Sequence, residues 1–310
     1  MSDPNARIRP YGPAALEEAT RVILGGGIVA VPTETVYGLA ADATRGDAVA
    51  NVYAAKGRPG FNPLIVHVLD RAAAEVLAVF NDTALTLAEA FWPGPLTLVL
   101  PLRPDAGIAS LVTAGLPTIA VRVPAHRVMR ALLEATAKPL AAPSANRSNH
   151  LSPTRAAHVS ASLGDAAPLI LDDGSCAEGI ESTIVAGHTI LRPGPVIADM
   201  IERVLGRVAV SESDGAVTAP GQLATHYAPN KPLRLDAVEA DAGEWLIGFG
   251  ARTGDDSLSA GGDPIEAAAR LFDALHRADA GPKPRIAVAP IPEAGIGAAI
   301  NDRLRRAAHR

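Results

Sequence analysis

Two rhythms of apolar residues run through the chain. Short continuous apolar runs alternate with longer stretches in which an apolar position returns every three or four residues. The first rhythm reads as buried strands and the second as helices with one face on a core. Residues 14–24 predict a helix: Pro13 suits its first turn, Leu16, Ala19, Ile23 and Leu24 form a stripe, and Gly25 stops it. The run 28–31 predicts a strand ending at Pro32, and Asp47 is placed to cap a helix running to about Lys56. Residues 63–69 predict a buried strand, and 83–91 a helix broken by Pro93-Gly94-Pro95. Strands are expected at 96–100 and 118–123, a helix at 128–135, and a short strand at 140–143 leading into a polar loop at 144–153. Another helix follows, with Ser152 or Thr154 as its cap. Short strands come next around Leu169, Ile184 and Ile190, the last two close enough about Gly187 to form a hairpin. Alternating strands and helices give an α/β class, and the hairpin makes the sheet mixed rather than purely parallel.

The pattern changes after Leu205. Residues 207–230 are rich in Ser, Asp, Gly, Thr and Pro and lack periodicity, which is linker composition. A second alternating block follows, with strands at 233–235, 245–249 and 285–290 and helices at 264–278 and 297–308. The expected division is therefore 1–206 for a first α/β domain, 207–230 for a linker, and 231–310 for a small second α/β domain able to fold alone. The last helix carries Arg303, Arg305 and Arg306, which read as a solvated face rather than a partner surface.

Composition narrows the function. Of 310 residues, 48% are hydrophobic but only 4% aromatic, so the core rests on Ala, Val, Leu and Ile. The formal charge of −5, from 28 basic and 33 acidic residues, argues against a protein that coats nucleic acid. The single cysteine, Cys176, excludes a disulfide within the chain and a cysteine-rich zinc site, and reads as a small buried residue rather than a nucleophile. The first thirteen residues lack the apolar run of a signal peptide, and no apolar stretch is long enough to span a bilayer, so the cytoplasm is expected.

Three segments carry more functional side chains than a turn needs. Residues 32–39 follow a strand and offer the hydroxyls of Thr33, Thr35 and Tyr37, at a strand end where open α/β sheets bind ligands. Caps for the next element explain the same residues. Lys56 and Arg58, set among Gly57, Pro59 and Gly60, suit a polyphosphate, although cations at a helix C-terminus also favour its dipole. No GxxxxGK[ST] motif is present. His67, within a strand, reads as a core residue. Residues 142–154 collect hydroxyls and amides before a helix, a place that favours anions, or an ordinary capped loop. No Ser/His/Asp ordering or metal-spaced cluster stands out. This inventory favours positioning and charge stabilisation of phosphates over nucleophilic catalysis.

The segments PTETVYGLA (32–40), KGRPGFNPLIVHV (56–68), FWPGPLTLVL (91–100), TIAVRVP (118–124), APSANRSNHLSPT (142–154), GIESTIV (179–185) and LRPGPV (191–196) together resemble the YrdC-like family. The distal run APGQLATHYAP (219–229), with the block after it, resembles the family's long-form threonylcarbamoyl-AMP synthases. The resemblance implies a twisted, open, mixed-sheet YrdC-like catalytic domain and a small Rossmann-like C-terminal domain. It also implies a reaction in which L-threonine, bicarbonate or CO2, and ATP give L-threonylcarbamoyladenylate and pyrophosphate. A partner enzyme would then transfer the group to tRNA, so that contact of this chain with tRNA is indirect or weak, and no membrane is involved.

Carried over by motif, Thr35, His67, Arg122, Ala142 and Ser182 would form the L-threonine site, with Arg122 on the carboxylate. Lys56, Arg58, Asn62, Thr118, Ser144, Ser152, Arg192 and Tyr227 would form the ATP site. Lys56 and Arg58 would stabilise charge on the leaving pyrophosphate, and Tyr227 would fold back as part of a lid that excludes water. Mg²⁺ would be held mainly by ATP phosphates and water, with no ligand assigned from the protein, and no residue is assigned as general base. The chain departs from the family pattern at Asn149 and Asp173, where glycine is common, and at Ala186, Ala219 and Gln222. Asn tolerates a left-handed backbone, so the loop at 149 is expected to survive. The competing readings are an RNA-binding module, against which acidity and few aromatics count, and a related carbamoyl-adenylate enzyme, which occurs in longer chains with zinc-finger-like segments.

Overall fold

The computed structural model describes residues 7–58, 62–210 and 227–309. Its strands are β1 (Ile8–Pro10), β2 (Val29–Pro32), β3 (Tyr37–Asp42), β4 (Ile65–His67), β5 (Leu96–Pro101), β6 (Thr118–Arg122), β7 (Leu140–Ala141), β8 (Leu169–Asp172), β9 (Thr183–Ala186), β10 (Thr189–Arg192) and β11 (Ala209–Val210), followed by β12 (Leu233–Arg234), β13 (Glu244–Gly248), β14 (Asp256–Ser257) and β15 (Arg285–Val288). The helices are α1 (Pro13–Leu24), α2 (Gly46–Lys56), α3 (Arg71–Leu77), α4 (Asp82–Phe91), α5 (Ser110–Thr113), α6 (Arg127–Thr136), α7 (Ala156–Leu163), α8 (Ala198–Leu205), α9 (Pro264–Ala280) and α10 (Gly297–Ala308).

Among the described residues the first block forms an eleven-stranded sheet in the order β1-β8-β2-β3-β7-β4-β6-β5-β9-β10-β11. It is mixed: β4 runs parallel to β6 and β5 to β9, whereas β2–β3, β5–β6 and the β9–β10 hairpin are antiparallel. Neighbouring positions of β2 serve opposite layers. Val29 and Val31 pack with Ala15, Ala19 and Ile23 of α1 and Met129 and Leu132 of α6. Ala30 belongs to the core on the other side, to which α2, α4 and α8 also contribute. Alternation along a strand places residues on opposite faces, so α1 and α6 cover one face at the β8-β2-β3 end. His67 of β4 pairs with Leu140 of that layer and with Arg122 of β6. Both side chains therefore stand on the α1/α6 face, beyond the stretch those helices cover.

The second block forms a parallel sheet, β12-β15-β13-β14, against α9 and α10. Its core includes Val36, Leu151 and Ile180 of the first block, so the two lobes meet through apolar packing. Gly179 lies against this junction. It has φ +70°, and a Cβ there would come within 2.3 Å of the Ala269 carbonyl oxygen of α9, so glycine is required both by conformation and by space.

Several expectations are corrected. Leu24 is 47% exposed, and the buried stripe of α1 is Ala15, Ala19 and Ile23. Arg45, not Asp47, is the N-cap of α2; Asp47 lies in the first turn and pairs with Arg45 at 2.6 Å. Arg155, rather than Ser152 or Thr154, precedes α7. Tyr37 begins a strand whose six residues are all buried, so the first polar segment is the tight connection of a hairpin and not an open loop. Arg303 is wholly buried, Arg306 is largely covered and pairs with Asp302, and Arg305 alone of the three sits on the solvated face, paired with Glu293.

Candidate active site

One cavity lies on the uncovered part of the sheet. Its lining falls into one group around Arg122, with Thr33, Thr35, Val36, Gly38, Ile65, His67 and Ala142, and a second around Arg58 and Arg192, with Ser144, Glu181 and Tyr227, while Ser182 joins the two.

The first end is built by the β2–β3 hairpin and the paired strands β4 and β6. Thr33 ties the turn: its hydroxyl donates to the Val36 carbonyl at 2.6 Å and lies 2.9 Å from the Thr35 hydroxyl. With the Thr33 proton spent on Val36, the proton between the two hydroxyls comes from Thr35. Arg122 is 3% exposed and donates from Nε to the Gly94 carbonyl (3.1 Å), from Nη1 to Thr35 Oγ1 (2.9 Å) and from Nη2 to Glu34 Oε1 (2.5 Å). Three of the five guanidinium N–H donors are thus engaged, and the other two have no partner among the described residues. The second oxygen of Glu34 accepts from the backbone N–H groups of Ala125 and His126 at the start of α6. Burial alone would raise the Glu34 pKa, but the charge and hydrogen bond of Arg122 with these amides carry it below its ordinary value, so Glu34 stays ionised.

His67 is buried beside Arg122, and its Nδ1 has no hydrogen-bond partner among the described residues. Burial, and then the charge of Arg122, push its pKa down to about 3, so the ring is neutral. On the floor, the Ser182 hydroxyl lies 2.8 Å from that of Thr97 and receives Arg192 Nη2 at 3.2 Å.

The second end gathers cations. Arg58 donates to the carbonyls of Asn62 (3.3 Å) and Pro63 (3.0 Å), and Arg192 to that of Ser182 (3.1 and 3.0 Å). Lys56 is buried behind the 144–146 loop, its Nζ held by the carbonyls of Ser144 (2.5 Å) and Asn146 (2.6 Å) and by Asn146 Oδ1 (3.4 Å). All three cations are less basic than usual. Burial is the main cause for each, and each also feels a neighbouring cation: Arg58 for Lys56, Arg192 for Arg58, and Arg303 for Arg192. Arg58 comes down to about 10. Cations crowded in this way gain most from an anionic ligand.

Of the positions named from motifs, Thr35, His67, Arg122, Ala142, Ser182, Arg58, Ser144, Arg192 and Tyr227 line the cavity. Lys56, Asn62, Thr118 and Ser152 stand outside its lining. Lys56 supports a loop rather than facing the cavity. Asn62 is buried with Oδ1 unpartnered among the described residues. Thr118 sits half-buried at the start of β6 opposite Pro101. Ser152 is buried and hydrogen-bonds Glu181. Tyr227, with φ 64°, packs against Phe272 at 5.6 Å between ring centroids, while the Ala228 N–H donates to Asn149. Asn149 adopts φ 68°, the left-handed conformation expected of it. His226 and the rest of the run 219–226 lie outside the described residues. Asp173 meets Arg127 at 2.5 Å, and Cys176 is buried with its thiol pushed up by burial.

Sequence reasoning gave no role to Glu34 or Glu181 and read Arg303 as solvated. The signal for Glu34 was available: Arg122 sits in an apolar strand, and a buried guanidinium requires a carboxylate within reach.

Comparison with known proteins places the fold. The family profile Sua5_yciO_yrdC, described as "Telomere recombination", matches residues 21–194, and that of "Threonylcarbamoyl-AMP synthase, C-terminal domain" matches residues 196–309. The chain is 38% identical to the threonylcarbamoyl-AMP synthase of Bacillus subtilis, over 94% of this chain and 92% of that one. It is 37% identical to that of Pyrococcus abyssi, over 93% and 92%. The crystal structure of P. abyssi Sua5 complexed with L-threonine superposes with a TM-score of 0.89 at 35% identity, covering 97% of this chain and 96% of the other. The chain therefore belongs to the Sua5/YciO/YrdC family, in the form that carries the C-terminal domain of threonylcarbamoyl-AMP synthases.

Proposed function

We propose that this chain makes L-threonylcarbamoyladenylate from L-threonine, bicarbonate or CO2, and ATP, releasing pyrophosphate, as a step in tRNA threonylcarbamoyladenosine modification. The observation that carries the reading is a single cavity with two unlike ends. One holds Arg122 with two uncommitted donors beside a neutral His67, and the other holds crowded cations.

Threonine's carboxylate takes the free fork of Arg122, a match of planar donor pair to planar acceptor. Thr35 and Ser182 add hydroxyls, Ala142 adds its backbone, and His67 lies against the substrate without adding charge. The unprotonated threonine nitrogen attacks the carbon of CO2, giving a carbamate and losing one proton to water. A carbamate oxygen then attacks the α-phosphorus. The bond from that phosphorus to the bridging oxygen breaks, and pyrophosphate leaves with the electron pair. Arg58 and Arg192 hold the polyphosphate and meet the charge developing on it, and Ser144 lines the same end. Lys56 braces the loop that carries Ser144. Tyr227, a linker residue that lines the cavity, acts as part of a lid that keeps water from the hydrolysable product. Mg²⁺ would enter with ATP, held mainly by phosphates and water, and would neutralise charge on the polyphosphate.

The product passes to an enzyme that transfers the threonylcarbamoyl group to tRNA. No described helix is long and apolar enough to cross a membrane, and a cytoplasmic site of action suits that partner. The test is pyrophosphate release from ATP with threonine and bicarbonate added singly and together. Release that requires both supports the proposal, and release indifferent to threonine refutes it.

A further inference from the structure

Helix α10 of the C-terminal lobe reaches the cavity wall through one side chain. Arg303 is wholly buried. Its Nε donates to Glu181 Oε2 at 3.0 Å, its Nη2 to the Glu181 carbonyl at 3.3 Å, and its Nη1 to the Pro193 carbonyl at 2.6 Å and Asp302 at 3.0 Å. The guanidinium carbon lies 5.5 Å from the centre of the Tyr227 ring. Glu181 and Tyr227 both line the cavity, and the other Glu181 oxygen is hydrogen-bonded by Ser152.

This arrangement is a poor device for merely joining two lobes. The junction already packs Val36, Leu151 and Ile180 against the second core. A buried ion pair adds little to stability beyond what apolar packing gives, because both charges lose their water. At the cavity, however, its effect is specific. A bare carboxylate at Glu181 would offset Arg58 and Arg192 and repel a polyphosphate. Arg303 neutralises that carboxylate. Its bonds to the carbonyls of residues 181 and 193 also fix the two segments that flank Ser182 and Arg192. Those segments are themselves in close contact: a Cβ on Gly194 would come within 2.8 Å of the Glu181 carbonyl oxygen.

We infer that Arg303 is a positioning residue for the nucleotide end of the cavity. The C-terminal lobe supplies the charge that neutralises Glu181 and orients Tyr227, and so sets the affinity for ATP without touching it. The inference rests on the adenylation reading for the identity of the nucleotide end.

The test measures pyrophosphate release with ATP and threonine each varied, in the wild-type chain, in Arg303→Met and in the double variant Arg303→Met with Glu181→Gln. Folding of each is checked by thermal melting. Arg303→Met strands the Glu181 charge, and the ATP KM is expected to rise roughly tenfold to a hundredfold, the range of a lost charged hydrogen bond. The threonine KM should change by less than about threefold, well below that range. Adding Glu181→Gln removes the stranded charge and should recover most of the ATP KM, which a loss of packing alone would not allow. An unchanged ATP KM in Arg303→Met, or a rise in both KM values that Glu181→Gln leaves in place, overturns the inference. If Arg303→Met does not fold, Arg303→Lys decides the matter. It keeps the charge, so an ATP KM near wild type supports the inference and a parallel rise in both KM values overturns it. Wild-type pyrophosphate release without threonine would sink the substrate reading, while the ATP KM comparison would still decide the role of Arg303.

Discussion

Replacing Glu34 by Gln tests how the threonine end is held together. The Glu34 carboxylate lies between two sets of donors: Arg122 Nη2 on one oxygen, and the Ala125 and His126 amides on the other. Gln keeps the shape but offers one acceptor and one NH2 group, so a donor must face a donor on one side. A charged hydrogen bond contributes about 1.5–3 kcal/mol, and breaking a buried pair by removing one partner costs about 3–5 kcal/mol. With Arg122 kept and three of the bonds to Glu34 only partly lost, we expect about 2–4 kcal/mol of lost stability. Arg122 would also turn toward other acceptors, taking its free fork off the cavity. The threonine KM should then rise roughly tenfold or more, about 1.4 kcal/mol for each factor of ten, with the ATP KM little changed. Urea unfolding and pyrophosphate release at varied threonine measure the two effects. A variant as stable as wild type with an unchanged threonine KM would refute the account of this end of the cavity. The pH dependence gives an independent check. Because the folded Glu34 pKa lies below its ordinary 4.5, its contribution is present above that value and is lost as pH falls through the folded pKa. The acid limb of the wild-type stability curve should be steeper than that of Glu34→Gln.

Arg58→Ala should reduce ATP use roughly tenfold to a hundredfold, and an unchanged rate would remove Arg58 from the site. His67 is neutral when folded, with its pKa down to about 3 from 6.5. Its contribution to stability is full above pH 6.5 and falls as pH drops toward 3, because the unfolded chain takes up the proton that folded His67 refuses. His67→Gln should flatten the stability curve through this window, and a curve with an unaltered slope would contradict the buried neutral ring. Gly179→Ala places a methyl within 2.3 Å of the Ala269 carbonyl oxygen at positive φ. A loss of about 1–3 kcal/mol is expected, read by thermal melting, and a variant of wild-type stability would show that the junction yields freely there.

Much of this was legible in the sequence, and the gaps have physical causes. Continuous apolar runs such as those of β5 and β6 showed themselves because strands buried on both faces need no alternation. The strand Tyr37–Asp42 was hidden because its first residues belong to a polar hairpin and its buried side chains are largely Ala and Gly. Pairing of His67 with Arg122 is a fact of register between distant segments, and resemblance rather than spacing brought them together. Arg303 was misread as solvated. Yet Ala299, Ile300, Leu304 and Ala307 are buried on α10 and position 303 falls within their stripe. An arginine on the apolar face of a helix signals a buried partner, and that partner, Glu181, comes from the other lobe.

The most direct test of the central claim supplies carbon-13 bicarbonate and ATP labelled at the α-phosphorus, together with threonine, and identifies the product by mass spectrometry. One species that carries threonine, the bicarbonate carbon and the α-phosphorus together is expected, formed in step with pyrophosphate. ADP and free phosphate in place of that species, or an adenylate lacking the bicarbonate carbon, would contradict it.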